Sequence, residues 1–148
     1  GKQMIYDEMM DNAFAGMKAD TRDDVVETFA AENAIPFGVV VMLGTKTNQV
    51  KLGGTKPVGV ALHTHTKAIG ADYAQYDAVS VLTRGLVWCK VKGSDAVTER
   101  GAVKFDTATG EVSDAATTTF PNAVFRSGVV QTAKYGKIAL VELHSPLA

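Results

Sequence analysis

From Ile35 onward, apolar residues occur in short runs or alternate with polar residues, and glycine-bearing turns separate the runs. Because side chains alternate between the two faces of a strand, this pattern is typical of an all-β sandwich or barrel. The predicted strands cover residues 37–43, 49–52, 58–63, 78–83, 86–91, 102–105, 111–113, 123–131 and 137–143. The pattern therefore predicts a mainly β fold, a small antiparallel β-barrel or jelly-roll-like sandwich with an N-terminal arm.

Glycines and small polar residues refine the second half of this prediction. Arg84-Gly85 separates strand 78–83 from strand 86–91. Gly128 lies inside the run 123–131, where an isolated glycine is typical of a bulge. The run DAATTTFPNA is small and polar, which indicates a surface loop.

Residues 1–33 differ in kind, because they contain no convincing strand and hold four of the five methionines. The segment TRDDVVETFAAEN is compatible with a helix whose N-cap is Thr21. Upstream of it, bulky apolar residues are spaced irregularly. Two interpretations stay open: a strand and turn packed on the chain's own barrel, or an arm, extended or with a short helix, that reaches a neighbouring subunit. We divide the chain into an arm, residues 1–33, and a β-domain, residues 34–148.

Composition and charge exclude several classes of protein. The 148 residues are 46% hydrophobic and 21% charged, with a formal net charge of −1, as in an ordinary single domain. Nucleic-acid binders carry clustered Lys and Arg, and no such cluster occurs, so we expect no nucleic-acid partner. The longest apolar run, residues 39–43, is far too short to span a bilayer, and the N-terminus is acidic where a signal peptide is basic. We expect a soluble protein with no membrane partner and no visible export signal.

The stretch ALHTHT holds the pattern most suggestive of chemistry. His63 and His65 are two residues apart, so on a strand both imidazoles would point to one side. In cupin-like metal sites a glutamate follows, but the fourth residue after His65 is Ile69, and the only other histidine is His144. A pair of histidines facing solvent or a neighbouring subunit, with no metal and no cofactor, is therefore favoured. A small metal-dependent enzyme using His63 and His65 is the alternative.

Nucleophilic and phosphate-binding motifs are missing as well. No serine lies in a G-x-S-x-G elbow, and no phosphate-binding P-loop motif occurs. Cys89 is the only cysteine and lies in the apolar run LVWCKV, which predicts a buried thiol that packs as a small hydrophobe. We therefore assign no catalytic residue.

Four short motifs occur in order along the chain: GMKAD in the arm, IPFG at residues 35–38, VGVA at 58–61, and YAQYDAVSVLTRGLVW at 73–88. Together they resemble the structural cement, or head decoration, proteins of tailed bacteriophages, over residues 12–143. Tyr76 departs from that family's pattern, in which many members carry glycine before the aspartate.

The resemblance implies a structural virion protein without catalytic residues. Such a protein binds the outer surface of an assembled phage capsid at capsomer junctions and stabilises the shell, with the major capsid protein as its partner. It also associates with itself as a homo-oligomer, a dimer being favoured over a trimer, and is made in the cytoplasm of the bacterial host. A tail or baseplate β-domain is the second alternative, which composition does not separate from a head protein.

The adhesive surface expected from this role is the apolar arm, because methionine adapts to irregular apolar grooves. The candidate contact residues on the capsid or on a neighbouring subunit are Met4, Met9, Met10, Phe14, Met17, Phe29, Ile35 and Phe37. We further expect that deletion of residues 1–20 leaves the barrel folded and abolishes capsid binding.

Overall fold

The computed structural model describes residues 13–19, 24–64, 66–132 and 136–145. Within them the chain forms strands and turns only, which confirms the mainly β class, and none of the described residues belongs to a helix that could span a membrane. The strands are β1 (Val25–Ala31), β2 (Ile35–Pro36), β3 (Val40–Leu43), β4 (Gln49–Lys51), β5 (Pro57–Ala61), β6 (Asp72–Tyr73), β7 (Ala78–Lys90), β8 (Ala102–Phe105), β9 (Thr118–Phe125), β10 (Val130–Thr132) and β11 (Gly136–His144).

The segment TRDDVVETFAAEN, which is compatible with a helix by sequence, contains strand β1 at Val25–Ala31, so the strand interpretation of this part of residues 1–33 holds and the helix does not. β1 pairs antiparallel with β7 and parallel with β4. Val25, Val26 and Thr28 are β-branched, which disfavours a helix and suits a strand. Pairing with strands that are distant in sequence decides between the two. The division at residue 33 stays a prediction, although the large sheet begins ahead of it.

Five strands close into a small barrel. β1 pairs with β4, β4 with β3, β3 with β5, and β5 with β7, which returns to β1. Only the β1–β4 pairing is parallel. The C-terminal part of β7 leaves this ring and pairs with β11. β9 and β8 follow β11 in the sheet, β10 pairs with β11, and β2 and β6 form a separate two-stranded sheet.

Two apolar clusters share the central strands. One cluster draws on all five strands of the ring and includes Val39 and Val41 of the β3 region. The other joins β3, β5 and β7 to β11, β9 and β8, and includes Val40 and Met42. Consecutive residues of β3 are thus buried on opposite faces, which explains why FGVVVML is a continuous apolar run rather than an alternating one.

Several strands in the second half differ from the prediction. β7 is one strand of 13 residues, and Gly85, with φ of +128°, continues it where a break was predicted. The predicted strand 123–131 is divided into β9 and β10, with Gly128 between them. Part of DAATTTFPNA, expected as a loop, is the start of β9, because β8 supplies its pairing partner. Residues 111–113 contribute only isolated bridges at Val112.

Residues 13–19, here called the strap, lie against β7. The Gly16 N–H donates to the Trp88 carbonyl (2.8 Å), the Trp88 N–H to the Met17 carbonyl (3.0 Å), and the Ala19 N–H to the Leu86 carbonyl (3.0 Å). Through these hydrogen bonds the strap pairs with β7 much as a short strand would. For the strap, the structure therefore favours the interpretation in which the N-terminal region packs on its own barrel.

Candidate interaction surface

The expected contact residues do not form one surface. Met4, Met9 and Met10 lie outside the described residues. Ile35 and Phe37 are 0% and 3% exposed and belong to the cluster that fills the ring. Both side chains therefore serve the fold, and they present almost no surface to a partner.

The remaining expected contacts, Phe14, Met17 and Phe29, are half-buried. Met17 packs against the cluster around Trp88, and Phe29 packs against the cluster of the ring. The Phe14 ring meets the His63 ring edge-on, with centroids 5.2 Å apart. Part of each side chain faces outward, so their contact role stays a prediction.

The strap is fixed to the barrel where two glycines touch. Gly16 and Gly38 have φ of +85° and +79°, in the left-handed region that disfavours side chains. A Cβ on Gly38 would lie 2.5 Å from the Gly16 nitrogen and 2.7 Å from the Ala15 carbonyl carbon. Gly16 belongs to GMKAD and Gly38 to IPFG, so two motifs that are separate in the sequence meet in the fold.

His63 lies inside this junction. Its ring is edge-on to Phe14 and also to Phe37, 4.9 Å away between centroids, and its Nε2–H donates to the Lys67 carbonyl at 2.9 Å. His63 is half-buried, so the expectation that it faces solvent or a neighbouring subunit stays a prediction. His65 lies outside the described residues. Among those described, no three or more His, Cys, Asp or Glu side chains are grouped so that they could hold a metal ion.

An apolar groove opens beside the strap. Phe14, Pro36, Phe37 and Ile69 line it together with Lys90, and its volume is about 330 Å³. A hollow of about 280 Å³ shares Pro36 and Lys90 with it and continues the groove. Ile69 is 41% exposed at its rim. The groove offers space for an apolar side chain of another polypeptide.

The first half of β1 is open to solvent. Val25 and Val26 are each 44% exposed, and the two residues that follow them are exposed as well. β7 covers one edge of β1, whereas on the other edge β4 pairs only with Ala30 and Ala31 in the described part of the chain. An uncovered strand edge with exposed β-branched residues is a surface to which another polypeptide can add.

Tyr76, in the turn between β6 and β7, combines exposure with an unfavourable backbone. It has φ of +73° and is 74% exposed, more than any other large hydrophobic residue that the structure describes. The next residue, Asp77, accepts a hydrogen bond from the Ala74 N–H (2.8 Å) and pairs with Lys67 (3.1 Å). The Ala74 amide, and then Lys67, hold the pKa of Asp77 below its usual value. A charged carboxylate thus stabilises this turn.

Two ionisable groups in the interior are kept neutral. Cys89 is buried, as its apolar run indicated, and burial raises the pKa of its thiol. Burial also raises the pKa of Tyr73, whose hydroxyl donates to the Leu62 carbonyl at 2.5 Å. Both groups stabilise the core and neither presents a reactive atom at the surface.

A family model described as "Structural cement protein (E217 gp24/Pam3 gp6)" matches residues 2–144 of the chain. The chain belongs to this family. The match extends over the strap, the barrel and the sheet around β11, so it concerns the whole fold of this cement-family protein rather than one motif. No curated protein matches the sequence.

A solved structure shows the same fold. This cement-family chain superposes on a chain of "The capsid of Myoviridae Phage XM1" with a TM-score of 0.71 and 18% sequence identity, covering 90% of this chain and 91% of that chain. At that identity the likeness shows the fold alone. "The crystal structure of head fiber gp8.5 N base in bacteriophage phi29" gives a TM-score of 0.49 and 12% identity, covering 85% and 99% of the two chains, and carries no argument.

Sequence reasoning missed two surface features of this cement-family protein. The open edge of β1 is not evident from the sequence, because the segment that holds Val25–Ala31 is also compatible with a helix. In the sequence, Tyr76 stands out only as a departure from the family's pattern. The signal that could have found it was the glycine expected there, because glycine before the aspartate indicates a positive φ that tyrosine adopts only at a cost.

Proposed function

We propose that this protein binds the outer surface of an assembled phage capsid at the junctions between capsomers and stabilises the shell there. Its membership of the structural cement family over residues 2–144 is the observation that carries the proposal. The proposed partner is the major capsid protein. The proposed state is a homo-oligomer, a dimer being favoured over a trimer, which is made in the bacterial host cytoplasm and ends on the outer face of the virion capsid.

The barrel supplies the rigidity that this role requires. A protein that joins neighbouring coat subunits resists their separation only if its own body does not deform. Here five strands close into a ring, and two apolar clusters share β3, β5 and β7. Close-packed interiors of this kind have low compressibility and transmit strain.

The arm supplies adhesion in this proposal. β1 is a strand of the barrel and the strap is hydrogen-bonded to β7, so residues 1–12, which include Met4, Met9 and Met10, are the part of the arm proposed to lie on the shell. They directly precede the strap, whose backbone is hydrogen-bonded to β7. A load on the proposed contact would therefore reach the barrel through the strap. The groove beside Phe14 and the open edge of β1 are further surfaces available to a coat subunit.

Symmetry would multiply weak contacts. A specific interface typically buries about 1,200–2,000 Å². When an oligomer binds several coat subunits, every contact after the first forms within one complex. The overall affinity for the capsid therefore rises although each single contact stays weak. With a net charge of −1, this chain gains little from long-range attraction, so apolar contact is proposed to dominate.

Capsids assembled without the protein provide the test. Purified protein is mixed with them, and binding is measured by co-sedimentation and located by electron cryo-microscopy. We expect density at capsomer junctions and a large loss of binding when Met4, Met9 and Met10 are replaced together by serine. The matched control is Val129→Ser, which removes an exposed apolar side chain outside the arm. Density confined to the tail, or no binding, contradicts the proposal.

A further inference from the structure

The backbone of Tyr76 is held in a conformation that tyrosine disfavours. At φ of +73° the Cβ crowds the following carbonyl, a penalty that glycine avoids. The Tyr76 N–H donates to the Ala31 carbonyl (2.7 Å), and the Ala31 N–H donates to the Asp77 carbonyl (2.9 Å). The Asp77 N–H donates to the Ala74 carbonyl (3.0 Å), and the Asp77 carboxylate accepts from the Ala74 N–H (2.8 Å). Hydrogen bonds on both sides therefore determine the turn, which keeps the strain in place.

Nothing in the described fold offsets this strain through the Tyr76 side chain. Tyr76 is 74% exposed and belongs to none of the apolar clusters. Tyr73 shows the contrast, because it is 1% exposed and its hydroxyl donates to the Leu62 carbonyl. One tyrosine completes the core, and the other is displayed on a rigid turn. A strained residue with an exposed aromatic ring is typical of a functional contact rather than of a folding requirement.

We propose that Tyr76 is an anchor that buries its ring in an apolar pocket of the coat protein, an inference that rests on the proposed function. Tyrosine is enriched among the residues that dominate binding energy. A ring on a turn with fixed backbone also loses little conformational freedom on binding, because it is already presented in one orientation of the main chain.

The charges around the turn favour the coat protein over a second copy of this chain. Lys51 pairs with Glu32 (3.7 Å), and Lys67 pairs with Asp77 (3.1 Å). Asp72 is exposed and forms no ion pair with a described residue, so these five side chains carry a net negative charge. A two-fold contact would place two copies of this patch in one interface, where their net negative charge is not compensated. A coat surface with a basic group beside the pocket is complementary to it.

Replacing Tyr76 by glycine tests the inference, because stability and binding should change in opposite directions. Removal of the strain should raise the Tm by about 2–4 °C. Loss of the ring should weaken binding to capsids that lack the protein by about tenfold or more. Tyr76→Phe should retain the binding. Asn48→Gly is the matched control, since Asn48 also has a positive φ (+65°) and is exposed, and it should leave capsid binding unchanged.

Each outcome of this experiment decides. If the wild-type protein binds capsids and Tyr76→Gly binds them equally well, the inference is overturned and the proposed function stands. Wild-type protein that does not bind capsids overturns both. If Tyr76→Gly changes the oligomeric state measured by analytical ultracentrifugation without capsids, the ring belongs to a contact between copies, and the inference is overturned as well.

Discussion

Replacing Gly38 by alanine should loosen the strap from the barrel. Gly38 is in contact with the strap through atoms that cannot rotate away. An added Cβ would lie 2.5 Å from the Gly16 nitrogen and 2.6 Å from the Ala15 Cβ. The Gly38 backbone is also held in place, because its N–H donates to the Ala61 carbonyl (2.7 Å) and its carbonyl accepts from the Lys90 N–H (2.8 Å). Relief therefore requires that the strap moves.

The magnitude follows from two separate costs. The left-handed backbone at φ of +79° costs an alanine about 1–2 kcal/mol. Forcing a methyl group against packed backbone atoms adds about 1–3 kcal/mol. The free energy of unfolding should therefore fall by about 2–5 kcal/mol, a large part of the roughly 5–15 kcal/mol that holds a typical domain together.

Chemical denaturation followed by tryptophan fluorescence measures the loss in the free energy of unfolding with a probe that lies beside the strap. Trp88 is the only tryptophan, is 1% exposed, and exchanges backbone hydrogen bonds with Gly16 and Met17 of the strap. Its emission should shift to longer wavelength when the strap departs and water reaches the indole. Hydrogen exchange at the Trp88 amide, which donates to Met17, should become faster in the variant.

Gly53→Ala is the matched control. Gly53 has a similar φ of +87°, but a Cβ there meets nothing within 4 Å. This variant should show only the backbone cost of about 1–2 kcal/mol. If the two variants are destabilised equally, within about 0.5 kcal/mol, the contact between Gly16 and Gly38 contributes nothing and the reasoning about the strap is refuted.

Two further predictions follow from the strap and from the Asp77 turn. Deletion of residues 1–12 should leave the Tm almost unchanged, whereas deletion of residues 1–20 should lower it, because the longer deletion removes the strap with its hydrogen bonds to Trp88. Thermal unfolding measures both Tm values. Equal Tm values for the two deletions would refute a structural role for the strap. Since the folded-state pKa of Asp77 is depressed, its contribution to stability is present at neutral pH and is lost as pH falls below the usual carboxyl range of about 4. Asp77→Asn should therefore lower stability at pH 7 and reduce its decline towards pH 3, and identical pH profiles of the two proteins would count against the turn.

The deletion prediction adds a loss of stability to what the sequence suggested for residues 1–20. Irregularly spaced apolar residues around Gly16 did not distinguish a strap on the chain's own barrel from an arm on a neighbour. The distinction depends on Trp88 and Gly38, which provide hydrogen bonds and close contact from elsewhere in the chain. The expected contact residues show the same limit, because Ile35 and Phe37 are as apolar as Met17 but lie in the core.

By itself, the sequence determined the β class, the family and the burial of Cys89. Short apolar runs bounded by glycine are a local property, and strands such as Ala102–Phe105 require little else to be recognised. The tertiary structure alone decided that Val25–Ala31 is a strand, that β7 continues through Gly85, and that Tyr76 is displayed while Tyr73 is buried. The physical reason is that a side-chain pattern defines the two faces of a strand, whereas distant strands decide which faces and edges they cover.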